Sequence, residues 1–222
     1  MRVHHIPVRR NFTVQFPEAL LKQLPHEFCL CTTAQFLDQI PAMQAVLQEK
    51  GFTVTLYKPR HTHHQGQVLG CSTDTIDAPA ALFIGEGLFH PQAFAYANNI
   101  PVHTYDPVSE KIGMIDREEI ERRQKKREAG IKTFYMVRHV GVLLSTKSGQ
   151  KDTVAVAKLK EQYPDKQFYT FLGNTIDLQG LEDFPFIDVW LNTACPRIGY
   201  DDIYKTQKPL VNAEDVLDKH RF

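Results

Sequence analysis

What most constrains this chain is the alternation of short apolar runs with helix-period segments. Phe28-Cys29-Leu30-Cys31 closes on Thr32-Thr33, residues 52–57 are rich in β-branched and aromatic side chains, and Ala81-Leu82-Phe83-Ile84 is apolar throughout. Residues 101–105, 140–146, 167–172 and 187–191 repeat the pattern. Runs this short, with little polar alternation, suit strands buried on both faces, the usual condition of a parallel sheet. Helical stretches fall between them. One has Pro41 in its first turn, Met43, Val46 and Leu47 on one face and Gly51 after its end; others cover residues 90–99 and 153–163. Such alternation predicts an α/β fold.

The pattern occurs twice. In each half a strand ends in small hydroxyl residues, Cys31-Thr32-Thr33 and then Leu144-Ser145-Thr146, and is followed by a helix and further strands. The expected architecture is two similar domains of parallel-sheet αβ units packed against each other. Residues 1–27 read as an arm with one short helix near residues 17–22, and residues 28–115 as the first domain. Residues 116–222 read as a linking helix plus the second domain. That helix, over residues 116–129, is highly charged, capped by Asp116 and expected to close at Gly130. Its charges are those of a solvated face. Ligands in such sheets gather beyond the carboxyl ends of the strands, where the Gly85-Glu86-Gly87 turn and a loop containing Cys195 are expected.

Lysine plus arginine and aspartate plus glutamate number 26 each, so bulk charge does not favour nucleic acid or an anionic membrane. No apolar run approaches the roughly eighteen residues of a membrane-spanning helix. The start, MRVHHIPVRRNF, lacks the apolar stretch of a secretory signal, so a cytoplasmic protein is expected. Four cysteines in such a chain argue against a disulfide framework. The phosphate-loop, dinucleotide-binding, nucleophile-elbow and H-E-x-x-H patterns are absent, and so is a clustered three-cysteine run.

The cysteines therefore carry the chemical question. Cys71, between Gly70 and Ser72, reads either as a small apolar residue beneath a loop or as a thiolate ligand beside a backbone that glycine lets approach closely. Cys195-Pro196 has a dipeptide found at iron–sulfur sites, weak evidence taken alone. Cys29 and Cys31 share one face of a strand and read as core residues. His61, His63 and His64 read as a solvated loop, one touching a charged substrate, or a zinc site.

The flanking residues add specificity. Gln67-Val68-Leu69-Gly70-Cys71 is followed by Leu82-Phe83-Ile84-Gly85-Glu86-Gly87-Leu88-Phe89-His90-Pro91. Then come Leu144-Ser145-Thr146-Lys147-Ser148-Gly149-Gln150, Leu191-Asn192-Thr193-Ala194-Cys195-Pro196-Arg197-Ile198-Gly199-Tyr200-Asp201-Asp202 and Pro209-Leu210-Val211-Asn212. In this order, over roughly residues 28–212, they resemble the 2-(3-amino-3-carboxypropyl)histidine synthase family, which begins diphthamide biosynthesis.

The resemblance implies an unusual radical enzyme built of three similar α/β domains, each giving one cysteine to a [4Fe–4S] cluster. Three ligands leave one iron open to S-adenosylmethionine. Its 3-amino-3-carboxypropyl group then passes to a histidine of translation elongation factor 2. Cys71 and Cys195 match the cluster cysteines. Arg197 is a candidate partner for the cofactor carboxylate, and Gly85 and Gly87 are candidate cofactor-binding positions. No residue is assigned as a catalytic acid or base.

The family's first domain, of about a hundred residues, and its cysteine have no counterpart here, and Cys29 and Cys31 align with ordinary strand positions. The expectation is a catalytic subunit whose third ligand comes from a separate chain. Alternatives are a non-catalytic subunit that supports the enzyme or recognises its substrate, and an unrelated metal-binding protein on the same scaffold.

Overall fold

The computed structural model describes residues 6, 8–11, 13–59, 62–71 and 74–217. The chain divides into two compact units, Met1–Ile120 and Glu121–Phe222. In the first, β1 (Glu27–Thr32), β2 (Thr53–Leu56), β3 (Ala81–Ile84), β4 (Val102–Asp106) and β5 (Lys111–Met114) form a sheet in the order β2-β1-β3-β4-β5. All pairings are parallel except β4 with β5.

The alternating side chains of these strands divide between two faces. Phe28, Leu30, Leu82 and Ile84 join Phe36, Met43 and Leu47 in one buried cluster, beneath α2 (Ile40–Glu49). Cys29, Cys31 and Phe83, alternating with them, are buried as well. The expected short helix is α1 (Glu18–Leu21), and its Leu20 is fully buried in this cluster. The arm residues around it therefore belong to the core. Gly51, at φ +90°, ends α2 as the sequence predicts. The β5 strand was not expected. It is a half-exposed edge held through its ladder to β4, and Lys-Ile-Gly-Met carries no strand signature of its own.

The second sheet contains β6 (His139–Ser145), β7 (Gln167–Gly173), β8 (Val189–Asn192) and β9 (Leu210–Asn212) in the order β7-β6-β8-β9, parallel throughout. Between its strands lie α5 (Thr153–Gln162) and α6 (Pro196–Asp201), and α7 (Glu214–Leu217) follows β9. Asp152 caps α5 by accepting the Ala155 N–H at 2.8 Å. Val140, Val142, Val189, Leu191 and Val211 bury one face. Leu143, Trp190 and Leu210 bury the other.

The charged helix differs from expectation at its end. It begins at Arg117, where Asp116 accepts the Glu118 N–H at 2.9 Å, but runs through Gly130 to Met136. Gly130 is a packing residue rather than a stop. A Cβ there would lie 2.7 Å from Val211 and 3.3 Å from Pro209, so only glycine lets the helix lie this close to the start of β9. Among the described residues no helix is long and apolar enough to cross a membrane.

The largest fully buried side chain is Trp190, packed edge-on against both Phe171 and Phe184, at 4.8 and 6.3 Å between ring centroids. Trp190→Ala is expected to destabilise the protein by about 3–5 kcal/mol, measurable as a shift of the urea unfolding midpoint at constant slope.

Candidate functional site

Both sheets reverse their strand order beside a central strand. The chain passes from β1 outward to β2, then returns to place β3 on the other side of β1; β6, β7 and β8 repeat the move. The carboxyl ends of β1 and β3, and of β6 and β8, are therefore the two switch points at which such sheets bind ligands. The sequence motifs converge there.

In the first unit the long connection from β2 to β3 is stitched to the end of β1. The Thr32 N–H donates to the Gly66 carbonyl at 2.7 Å, and the Val68 N–H donates to the Thr32 carbonyl at 2.8 Å. The Thr32 hydroxyl donates to the Ile84 carbonyl at 2.6 Å, tying β1 to β3. Three residues after Val68 comes Cys71, half-buried. A Cβ on Gly70 would lie 2.0 Å from the Phe89 ring, so glycine lets the cysteine segment approach the first residue of α3 (Phe89–Ala97). Phe89 meets His90 edge-on, and His90 stacks on Phe83.

The turn between β3 and α3 holds the two candidate glycines. Gly85 is buried, with φ +156°, and a Cβ on it would meet the Phe83 ring at 2.9 Å. Gly87 is exposed at φ +70°, with nothing within 4 Å of where a Cβ would stand. Glu86 between them accepts from Arg10 at 2.6 Å. Gly87 thus offers an open backbone surface, whereas Gly85 is occupied from within. His63 and His64 are exposed, and His61 lies outside the described residues.

In the second unit Cys195 is the N-cap residue of α6, with Pro196 in the first turn, where a missing N–H costs nothing. The thiol is half-buried and makes no capping hydrogen bond. Arg197 is 5% exposed and gives Nε and NH2 to Asp201 at 2.7 and 2.6 Å. Asp201 also accepts from Arg123 at 3.3 Å. A cofactor carboxylate reaching Arg197 would have to share it with Asp201. A second ion pair lies behind: Arg127 grips Asp215 through two hydrogen bonds, 2.8 and 2.6 Å. Burial disfavours the Arg127 cation, but the bonds and charge of Asp215 outweigh it and raise its pKa. Sequence reasoning did not single out Asn192 and Asn212, which meet beside Cys195 at 2.8 Å. Two asparagines at strand ends, where apolar residues are the rule, were the available signal.

The four thiols fall into two classes. Cys29 and Cys31 are each 2% exposed in β1. Burial pushes Cys29 up to about 11, against smaller opposing contacts from Tyr57 and Thr55, and raises Cys31 well above its usual value, with Cys29 adding to the effect. Neither is a ready thiolate. Half-buried Cys71 and Cys195 have the donor chemistry that iron–sulfur groups take. Among the described residues no group of three or more His, Cys, Asp or Glu is assembled to hold a metal. Cys71 and Cys195 each offer one thiolate donor, in separate units.

In metal-free protein at pH 8, iodoacetamide is expected to label Cys71 and Cys195, while Cys29 reacts at least about 100-fold more slowly than the same thiol in the unfolded chain, since two pH units separate its pKa from the ordinary 9.0. Because the folded pKa is raised, the stability that neutral Cys29 contributes is complete below pH 9 and declines as pH rises through about 11. Peptide mass spectrometry and pH-dependent unfolding check the two statements.

The diphthamide synthesis protein family matches residues 1–217. The 2-(3-amino-3-carboxypropyl)histidine synthase of Pyrococcus horikoshii is 31% identical over 202 residues, covering 88% of this chain and 58% of the relative. Human 2-(3-amino-3-carboxypropyl)histidine synthase subunit 1 is 29% identical over 188 residues, 82% of this chain and 42% of its own. The crystal structure of Dph2 from Pyrococcus horikoshii with a 4Fe-4S cluster superposes with a TM-score of 0.71 at 27% identity, over 90% of this chain and 59% of that one. The chain thus spans about half the length of these curated relatives.

Proposed function

This chain belongs to the diphthamide synthesis protein family, and from that membership we propose that it is a subunit of the enzyme catalysing the first step of diphthamide biosynthesis. In this reading the enzyme transfers the 3-amino-3-carboxypropyl group of S-adenosylmethionine to a histidine of translation elongation factor 2, in the cytoplasm. Cys71 and Cys195 each give a thiolate to a [4Fe–4S] cluster. The observation that carries the reading is the separation of the thiols: the two in family motifs stand half-buried at switch points, while the other two are sealed in β1.

When bound, the cluster would supply the reducing electron and an open iron for S-adenosylmethionine. This chain's own residues do the holding. The Phe89 ring over Gly70 and the stitching of residues 66–68 to Thr32 fix the approach to Cys71. Pro196 and the first turn of α6 fix the approach to Cys195. The open backbone at Gly87 suits close approach of a bound small molecule, and Arg197, restrained by Asp201, presents a positive charge two residues from Cys195.

Cys29 and Cys31 are not available as a third ligand. That thiolate is supplied from outside residues 1–222, and a separate chain is the source we assign.

Cys71→Ala and Cys195→Ala, singly and together, are expected to reduce transfer of radiolabel from S-adenosylmethionine to elongation factor 2 to background in the assembled enzyme. Unimpaired transfer by the double variant would assign this chain a supporting or substrate-recognition role instead.

A further inference from the structure

Resting on the reading of Cys195 as a cluster ligand, we propose that Asn192 and Asn212 are positioning residues that hold the Cys195 segment ready for metal before any metal is bound. They are the last residues of β8 and β9 and are direct partners in the parallel ladder, so their side chains stand on the same face. Both are buried, at 3% and 2% exposure. Asparagine is unfavourable in strands, and a buried amide is costly unless its donors and acceptor are used. Here they are used on the backbone around the cysteine.

Asn192 Nδ2 donates to the Cys195 carbonyl at 2.9 Å and to Asn212 Oδ1 at 2.8 Å, while Asn192 Oδ1 accepts the Ala194 N–H at 3.0 Å. Asn212 Nδ2 donates to the Pro196 carbonyl at 2.9 Å, and the Asn212 side chain also bonds the Tyr200 hydroxyl. One amide pair thus holds backbone groups of three consecutive residues, with Cys195 in the middle. Thr193 closes the other side, its N–H and hydroxyl both donating to the Leu143 carbonyl at 3.0 and 2.9 Å. What remains uncommitted is the sulfur, which makes no capping bond to α6. Gly199 completes the device: a Cβ there would stand 2.2 Å from Asn212 Oδ1, so glycine is what lets α6 rest on the amide pair.

Groups that orient a metal ligand without touching the metal commonly change affinity by about 10–100-fold. The pair therefore has a role beyond closing a loop. Leucine at both positions would preserve burial but leave the Ala194, Cys195 and Pro196 backbone groups without their side-chain partners.

The test uses the full 222-residue chain, reconstituted anaerobically with ferrous iron and sulfide, with 2-mercaptoethanol as the exogenous third thiol. Asn212→Ala removes half the pair; Gly199→Ala leaves both amides but displaces one. Far-UV circular dichroism and cooperative unfolding report the fold. Iodoacetamide labelling of Cys195 is read against Cys71 in the same molecule, and iron loss to a chelator is timed. Both variants are expected to fold, to keep the wild-type Cys71 labelling rate, to change that of Cys195, and to lose iron about tenfold faster. Unchanged Cys195 labelling and iron loss, with Cys195 protected by iron in wild type, would overturn the positioning role alone. Loss of folding in both variants would make the pair a folding determinant and also overturn it. Iron loading that leaves wild-type Cys195 as reactive as in metal-free protein would overturn the ligand reading itself.

Discussion

Two parallel pairings, β1 with β3 and β6 with β8, decide where the chemistry of this chain can sit. A parallel ladder needs a crossover for each strand, and when successive crossovers go opposite ways the loops at the central carboxyl ends are left apart. The Thr32 hydroxyl on the Ile84 carbonyl ties β1 to β3, and the Thr193 hydroxyl on the Leu143 carbonyl ties the end of β8 back to β6. The sealed cysteines show the contrast: one strand, β1, contains two thiols that burial keeps protonated and delivers its hydroxyl to the edge of the site.

The two sites are built by different means. Cys71 arrives on a long connection held by backbone bonds to β1 and by an aromatic ring over a glycine. Cys195 follows a strand directly and is held by buried side-chain amides and a proline-started helix. Around it, Arg123 and Arg197 share Asp201, and Arg127 and Asp215 form a bidentate pair against Tyr200. Removing one member of such a pair strands a charge of which Asp215, with 1% of its side chain exposed, would be the extreme case. The ionic layer therefore stiffens the cysteine's support without touching it.

Much of this was legible in the sequence. The strands other than β5 and the short β9, the caps at Asp116 and Gly51, and the placing of the motifs at strand ends follow from residue pattern. What escaped reading was set by tertiary contact. Gly130 has the composition of a helix stop, and only the proximity of Val211 and Pro209 makes it a packing residue inside a longer helix. The edge strand β5 has no strand signature and exists through its partner β4. At the candidate site Arg197 did not announce a carboxylate four residues away on its own helix turn. Nor did two asparagines twenty residues apart announce that the ladder would pair them.

That Cys71 and Cys195 are two ligands of a cluster whose third ligand lies outside these residues is our proposal. It is tested most directly by electron paramagnetic resonance of the anaerobically reconstituted, dithionite-reduced chain, recorded with and without a polypeptide supplying a further cysteine ligand. Expected are a stable [4Fe–4S] signal with that polypeptide, loss of the signal when Cys71 and Cys195 are both alanine, and a labile cluster in the chain alone. An undiminished signal from the double variant with the polypeptide present would contradict it.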